Sequence, residues 1–237
     1  MAYLDMDSGV IVANANETER STFIKRTYLH LGLAVLAFAG IEALLISSGV
    51  AKSFVGTLAA NKWLWFVILA LFMGVSYVAD NWARTPMSRE KQYMGLGLFV
   101  VAEAIVFMPL LYIAYNYAPN VIPQAALMTL ALAGGITFTA FTTKKNFSFL
   151  APILTIGGFV ALGVILASML FGFNLGWVFA AIMVVFAGAA ILYSTSQIIH
   201  EYHTDQYVAA SLGLFSSIAL MFFYLVQLLM SLGGSND

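Results

Sequence analysis

The chain has 237 residues, of which 62% are hydrophobic and 9% are charged, with a formal net charge of −1 and no cysteine. Since a soluble domain carries about 25% charged residues, this composition excludes a domain with a water-facing surface and indicates a protein of the lipid bilayer. The near-zero net charge gives no reason to expect nucleic acid as a partner. Without cysteine, disulfides, thiolate metal sites and cysteine nucleophiles are excluded.

The polar N-terminal stretch, residues 1–26, is predicted to be a cytoplasmic tail. It mixes acidic with basic residues and lacks the basic-then-apolar pattern of a cleavable signal. The span that follows is therefore predicted to be a permanent signal-anchor. At the other end of the chain, residues 233–237 are predicted to be a short C-terminal tail.

Between these tails, the stretch 27–232 is predicted to be one seven-span transmembrane domain. A span needs roughly 20 mostly apolar residues, and the seven stretches that qualify are 27–50, 62–80, 93–115, 121–142, 149–170, 176–198 and 208–232. The runs are too long for strands and show no apolar/polar alternation. Because lipid cannot satisfy a bare backbone, the spans must be helices. The predicted fold class is an all-α membrane protein.

The lysines and arginines predict how the spans are oriented. With the N-terminus inside, eight of them fall in inner segments and two in outer segments. The inner ones are Arg20, Lys25, Arg26, Arg84, Arg89, Lys91, Lys144 and Lys145, and the outer ones are Lys52 and Lys62. The pattern predicts a cytoplasmic N-terminus and an outside C-terminus, and it places the link at 199–207 on the inner side.

Two carboxylates fall within predicted spans, Glu42 in the first and Glu103 in the third. An ionisable group at that depth costs on the order of 2.5–3.5 kcal/mol, so it usually faces a bundle interior or a cavity. Glu103 is either a cation or proton relay site or a neutral group hydrogen-bonded across helices. For Glu42, which lies nearer the outer face, the second interpretation is favoured.

Other polar side chains lie at the predicted inner edge. Asp80 and Arg84, four residues apart on one helix, are predicted to form an interfacial ion pair. A histidine-rich cluster follows the sixth span and comprises His200, Glu201, His203 and Asp205. Its spacing is not HExxH, so an exposed polar link is favoured over a divalent metal site. His200 and His203 are candidate pH sensors, since histidine titrates between pH 5 and 8.

The residues that known seven-span enzymes and pigments require are missing. A retinal pigment needs a lysine in a late span, and no lysine follows Lys145. A rhomboid-like protease needs serine and histidine inside spans, where His30 is the candidate, but no GxSxG-type elbow accompanies a serine. A phosphate-binding loop is also absent from the sequence. The chain is therefore not predicted to be an enzyme, and no cofactor is predicted.

Two motifs carry a family resemblance, FTTKKNFSFL at 141–150 and ILYSTSQIIH at 191–200. Over roughly residues 27–232 the chain resembles the bacterial branch of the Bax inhibitor family. The resemblance implies a seven-helix bundle whose last helix is central, and a bacterial inner membrane as its location. It implies one of two activities, a pH-gated calcium leak or the restraint of an AAA+ membrane protease.

The sequence departs from the family's channel pattern at the gate. The resemblance places one aspartate at the end of the sixth span and another early in the seventh. Here these positions are Ser194 and about Ser217, or Ser216 or Ile218 if the link is gapped differently. Two serines share no proton and carry no charge to attract calcium, so their contact should be nearly indifferent to pH.

Two functional hypotheses follow. The first is a calcium-permeable membrane protein with weakened pH gating, in which Ser194 and Ser217 line or latch the inner mouth and Glu103 supplies a carboxylate within the bundle. The second is a regulatory binding protein for an AAA+ membrane protease. The missing aspartate pair favours the protease regulator, whereas Glu103 favours the channel.

Overall fold

The computed structural model describes residues 10–61, 63–85, 88–143 and 145–233. Lys62, Lys144, residues 1–9 of the predicted N-terminal tail and residues 234–237 of the C-terminal tail lie outside this part of the chain. Within it, a 3-10 turn at Val12–Asn14 precedes a series of α-helices. These helices are α1 (Glu17–Ser47), α2 (Val50–Ala60), α3 (Trp63–Ala83), α4 (Arg89–Tyr117), α5 (Val121–Thr143), α6 (Leu150–Phe171), α7 (Gly176–His200) and α8 (Tyr207–Gly233).

The predicted seven-span, all-α architecture is confirmed. In the described part of the chain, seven helices are long and apolar enough to cross a membrane, and α2 is the shorter apolar helix. The last helix is central, because α8 packs against α1, α3, α4, α5 and α7. Half of its most apolar 18 residues are buried, whereas none of the corresponding residues of α6 are. The chain is therefore a multi-pass membrane protein built around its last helix.

Large apolar side chains cover the outside of the bundle. Leu36 and Phe159 are each 70% exposed, and Val185 is 74% exposed. In water such a surface would be an aggregation hazard. In a bilayer the same side chains face hydrocarbon, which agrees with the composition.

The first helix begins ten residues before the predicted span. The Asn16 side chain accepts a hydrogen bond of 2.9 Å from the backbone N–H of Glu19, which satisfies one of the free donors of the first turn. Glu17 and Glu19 complement the positive end of the helix dipole. Much of the predicted polar tail is therefore helical.

The segment before α1 is also held in place. The side chain of Val12 is fully buried, and its N–H donates to the Tyr202 carbonyl at 2.9 Å. The N–H of Thr204 donates to the Val10 carbonyl at 3.1 Å, and Ile11 forms an antiparallel bridge with His203. These contacts tie the N-terminal segment to the link between α7 and α8.

One end of the bundle collects most of the polar contacts, and we call it the polar end. There α1, α4 and α8 begin, while α3 and α7 end. The turn between α5 and α6 and the link at 201–206 lie at the same end, because both contact these helix termini.

Candidate functional site

The two serines that the resemblance places at the family's aspartate positions meet near the polar end. Ser194 of α7 and Ser217 of α8 are both buried, and their hydroxyl oxygens lie 2.9 Å apart. The Ser217 hydroxyl also donates to the Gly213 carbonyl at 3.0 Å. With that hydrogen used, the Ser217 oxygen accepts from Ser194. The structure thus joins α7 to α8 through a neutral hydroxyl chain.

The two motifs that carry the family resemblance also contact each other. The backbone N–H of Phe147, in the turn between α5 and α6, donates to the Ser196 hydroxyl at 2.8 Å. Ser196 lies two residues beyond Ser194 on α7 and is buried. The turn therefore contacts α7 at Ser196, two residues from the position where α8 contacts the same helix through Ser217.

Glu103 lies in an aromatic stripe of α4. It is 7% exposed and stands one helical turn from Phe99 and from Phe107, so the three side chains share a face. The ring of Phe99 lies 6.1 Å from that of Phe215 on α8, and the ring of Phe107 lies 5.0 Å from that of Phe38 on α1. This face of α4 turns toward α1 and α8, which places the carboxyl inside the bundle.

Glu42 lies on the corresponding face of α1, one turn beyond Phe38. It is 4% exposed, and neither carboxylate oxygen has a hydrogen-bond partner in the described part of the protein. The expected hydrogen bond across helices is therefore not present. The contact of Phe38 with Phe107 separates Glu42 from Glu103 along the helix axes, so the two carboxyls flank one aromatic layer.

Asp80 and Arg84 form the predicted ion pair, with the Arg84 Nε 2.8 Å from the Asp80 Oδ2. The guanidinium also lies over the Tyr202 ring, 5.8 Å from its centre. Burial raises the pKa of the Tyr202 phenol, and the neighbouring Arg84 charge acts in the opposite direction. The predicted surface pair is thus one side of a contact that fixes the 201–206 link against α3.

The predicted histidines of the link make local contacts. His200 donates from Nδ1 to the Ser196 carbonyl, 3.0 Å away, and the backbone N–H of His203 donates to the Gln206 side chain. Among the described residues, no group of three or more histidine, aspartate or glutamate side chains is placed to hold a metal ion. Neither histidine contacts the serine pair through a hydrogen bond that the structure describes.

A contact that the sequence did not indicate closes the same region. Arg89, the first residue of α4, donates from Nη1 to the Asp205 carbonyl at 2.6 Å and to the Gln92 side-chain oxygen at 3.0 Å. Gln92 is 1% exposed and donates in turn to the Thr85 carbonyl. The only sign of this network in the sequence is Gln92, a polar residue that adjoins the predicted third span.

The chemistry of the site is that of hard oxygen ligands without a fixed charge at the serine pair. Hydroxyl, carbonyl and carboxylate oxygens are the ligands that calcium prefers in proteins. Ser194 and Ser217 supply hydroxyl oxygens, Gly213 supplies a carbonyl oxygen, and Glu103 supplies carboxylate oxygens elsewhere in the bundle.

Comparisons with known proteins indicate the same family as the two motifs do. The family model described as inhibitor of apoptosis-promoting Bax1 matches residues 20–234. An uncharacterised protein of Pseudomonas aeruginosa is 30% identical, over 94% of this chain and 96% of its own. The Golgi anti-apoptotic protein of vaccinia virus is 26% identical, over 95% and 92% respectively. Bax inhibitor 1 of Schizosaccharomyces pombe is 26% identical over 73% of this chain and 64% of its own.

Proposed function

Because the chain belongs to the Bax inhibitor family, we propose that it is a non-enzymatic, cation-permeable membrane protein with calcium as its ion. The observation that supports this proposal is the buried contact of Ser194 with Ser217, 2.9 Å between hydroxyl oxygens. It lies where the resemblance places the aspartate pair that closes the family's channels. In this proposal the serine pair is the latch of the closed state.

The latch is weak and neutral. Hydrogen bonds between membrane helices contribute about 0.6 kcal/mol on average, so a small change in helix packing is enough to break this one. Neither hydroxyl changes its charge between pH 6 and pH 8, and the opening of the latch therefore depends little on pH. This is the difference we propose from relatives that carry two aspartates.

Glu103 supplies the carboxylate of the proposed path. It faces α1 and α8 within the bundle, and Glu42 occupies the same seam on the far side of the aromatic layer. A cation that leaves the latch meets Glu103 first and Glu42 second. We assign Glu103 the larger effect because Phe99, one turn before it on α4, contacts Phe215, which lies two residues before Ser217 on α8.

The direct test is calcium flux into liposomes that hold the purified protein, measured at pH 6 and at pH 8. The proposal expects flux at both values with little difference between them. Empty liposomes give the background leak. Absence of flux at both values would overturn the channel and leave the second candidate.

A second candidate is a regulatory binding protein that restrains an AAA+ membrane protease. It is favoured by the absence of a charged pair at the gate and by the surface that residues 10–14 form with the 201–206 link. It expects co-purification with a co-expressed protease of this class and no calcium flux. A protein that conducts calcium and leaves the protease in the unbound fraction would exclude it.

The location in the cell is part of the proposal. We propose a bacterial inner membrane, with the polar end in the cytoplasm and the C-terminus outside. The excess of lysine and arginine in the segments that reach the polar end supports this orientation.

A further inference from the structure

Two arginines from different helices converge on one tyrosine ring at the polar end. The guanidinium carbon of Arg26 on α1 lies 5.5 Å from the centre of the Tyr207 ring, and that of Arg89 on α4 lies 4.9 Å from it. Tyr207 is the first residue of α8 and is buried, whereas both arginines are exposed. We call these three residues the arginine site. It includes neither the serine pair nor Glu103.

The positive charge of the arginine site is not neutralised within the described part of the protein. No carboxylate oxygen of the described residues lies within 4.0 Å of a side-chain nitrogen of either arginine. The Nη1 of Arg89 donates to the Asp205 carbonyl and to the Gln92 side-chain oxygen, which are both neutral acceptors. Two cations that are held close together repel each other. An anion that contacts both guanidinium groups therefore relieves this repulsion and is attracted by each of them.

The contact with Tyr207 leaves arginine donors available to a ligand. A guanidinium group that lies over a ring uses its face, whereas its five N–H donors point outward in its own plane. Arg89 uses Nη1 alone, and the hydrogen bond that the structure describes for Arg26 is at its backbone carbonyl. The ring is itself fixed by the Tyr93 hydroxyl at 3.2 Å and by the His30 ring at 5.0 Å. Because the two arginines are already held, binding costs less side-chain entropy.

The position of the site along the bundle indicates where its ligand comes from. The predicted spans of α1, α4 and α8 begin at residues 27, 93 and 208, so the arginine site lies where the hydrocarbon layer is expected to start. Leu29 and Leu33 follow Arg26 on the same face of α1, toward the membrane interior, and are 61% and 55% exposed. A molecule that fits this surface has an anionic group beside an apolar chain.

We propose that the arginine site binds the phosphate group of an anionic phospholipid of the phosphatidylglycerol class. The N–H donors of Arg26 and Arg89 contact the phosphate oxygens, since a planar guanidinium matches phosphate geometry. The acyl chains lie along Leu29 and Leu33. The N-termini of α4 and α8, which both begin at this site, add a further attraction for negative charge.

The same chemistry disfavours two other ligands. A zwitterionic phospholipid has its own ammonium group, which would bring a third cation to the two arginines. A free phosphate ion offers the same oxygens but no chain to cover the exposed leucines. The preference for an anionic lipid is therefore the property to measure.

Native mass spectrometry of the detergent-purified protein measures this preference directly. The protein is titrated with palmitoyl-oleoyl phosphatidylglycerol and, separately, with phosphatidylcholine that has the same chains. The first phosphatidylglycerol molecule should bind about tenfold more tightly than the first phosphatidylcholine molecule. Equal affinities would overturn the proposal, because the headgroup charge would then contribute nothing.

Two double variants locate the binding. Arg26→Gln combined with Arg89→Gln should weaken the binding of phosphatidylglycerol about tenfold. The matched control is Lys25→Gln combined with Lys91→Gln, which removes the same two charges from the same two helices at exposed positions. It should keep the affinity of the unsubstituted protein. An equal loss in both double variants would assign the attraction to overall charge and would contradict the site.

The single variant Arg26→Gln covers the case in which the arginine double variant does not fold. Arg26 makes no side-chain hydrogen bond that the structure describes, so its replacement should leave the fold intact and still weaken lipid binding. Size-exclusion elution and thermal unfolding verify that each variant is folded. Unchanged phosphatidylglycerol affinity in folded Arg26→Gln would remove this arginine from the site and overturn the proposal.

Thermal unfolding in detergent distinguishes a lipid from a free anion. A ligand that binds only the folded protein raises its unfolding temperature. Phosphatidylglycerol should raise this temperature, whereas inorganic phosphate at the same concentration should not. An equal rise with inorganic phosphate would identify a site for soluble anions in place of a lipid site. None of these measurements uses calcium or a protease, so they remain interpretable if either proposed function fails.

Discussion

Ser194 and Ser217 show how a buried polar contact between membrane helices is satisfied without charge. Each hydroxyl has one hydrogen to place, and the chain from Ser194 to Ser217 to the Gly213 carbonyl places both. A carboxylate at either position would need a counter-charge or a proton to be tolerated in the same surroundings. The serines therefore join the two helices without an ionisable group.

Ser194→Ala tests how much the contact contributes to stability. The variant loses the bond to Ser217, while Ser217 keeps Gly213 as its acceptor, so the free energy of unfolding should fall by about 0.6 kcal/mol. The control is Ser211→Ala, because Ser211 is also buried but bonds only to carbonyls of its own helix. Reversible unfolding in mixed micelles measures both variants. Equal losses in the two would show that the interhelical bond contributes nothing.

Glu103→Gln tests the proposed carboxylate of the ion path. Glutamine keeps the size and hydrogen-bonding capacity of the side chain and cannot ionise. Calcium flux should fall roughly tenfold, which corresponds to a barrier about 1.4 kcal/mol higher, while thermal stability is retained. Glu90→Gln, on the exposed first turn of the same helix, should leave the flux unchanged. Unchanged flux in Glu103→Gln would remove this residue from the path.

The site residues differ in how far the sequence could predict them. A carboxylate inside an apolar run is visible at once, which is why Glu42 and Glu103 were candidates. The serine pair was found through the resemblance, because a serine in a span has no signal of its own. Tyr202 and Arg89 could not be found, since their roles depend on how the 201–206 link packs against α3 and α4.

Among the helix pairs, α3 and α4 approach unusually closely, and Gly95 is the reason. A Cβ atom at this position would lie 2.5 Å from the Ala79 carbonyl oxygen and 2.7 Å from the Ala83 backbone nitrogen. Both are backbone atoms and cannot move aside as a side chain can. Small residues that let helix backbones meet are a general means of association in lipid, where hydrophobic driving force is lacking.

Gly95→Ala should therefore destabilise the protein even though alanine is the better helix former. The added methyl group pushes α3 from α4, with an expected cost of about 1–3 kcal/mol in the free energy of unfolding. Gly97→Ala is the control, because a Cβ there meets no atom within 4 Å and alanine should be neutral or stabilising. Thermal unfolding in detergent compares the two. Equal stability of both variants would contradict the close approach.

The sequence predicts which stretches cross the membrane, but not where each helix begins and ends. Roughly 20 apolar residues are needed to cross a bilayer, and this requirement gave the correct number and order of spans. It cannot detect polar turns that continue a helix beyond the membrane, as in Glu17–Arg26, although the Asn16 and Glu19 pair is a capping signal. The same requirement placed Val50 in the first span and the rest of α2 in a link. In the structure the break between α1 and α2 lies at Gly49, whose φ of 80° is left-handed.

On the scale of the whole molecule, α8 is the element through which the other parts are connected. The serine pair, the contact of the Tyr93 and Tyr207 hydroxyls and the aromatic layer beside Glu103 each have a member on this helix, Ser217, Tyr207 and Phe215 respectively. A displacement of α8 would change all three at once. By contrast, α6 packs against α7 with its other faces toward lipid, so changes there should leave the polar end intact.

The orientation of the whole bundle is the remaining property that the charge distribution predicts. In the cysteine-free chain, Asn120→Cys places one exposed thiol between α4 and α5, at the end opposite the polar end, and Glu201→Cys places one at the polar end. In intact spheroplasts a membrane-impermeant maleimide should label position 120 at once and position 201 only after permeabilisation. The reason is that seven of the eight lysines and arginines in the described part of the chain belong to segments on the polar-end side.

The reverse labelling pattern would place the polar end outside. The 201–206 surface would then be out of reach of a protease whose AAA+ domain lies in the cytoplasm. Labelling of both positions before permeabilisation would instead indicate leaky cells, which a cytoplasmic marker protein detects. The labelling pattern thus decides on which side of the membrane each proposed site lies.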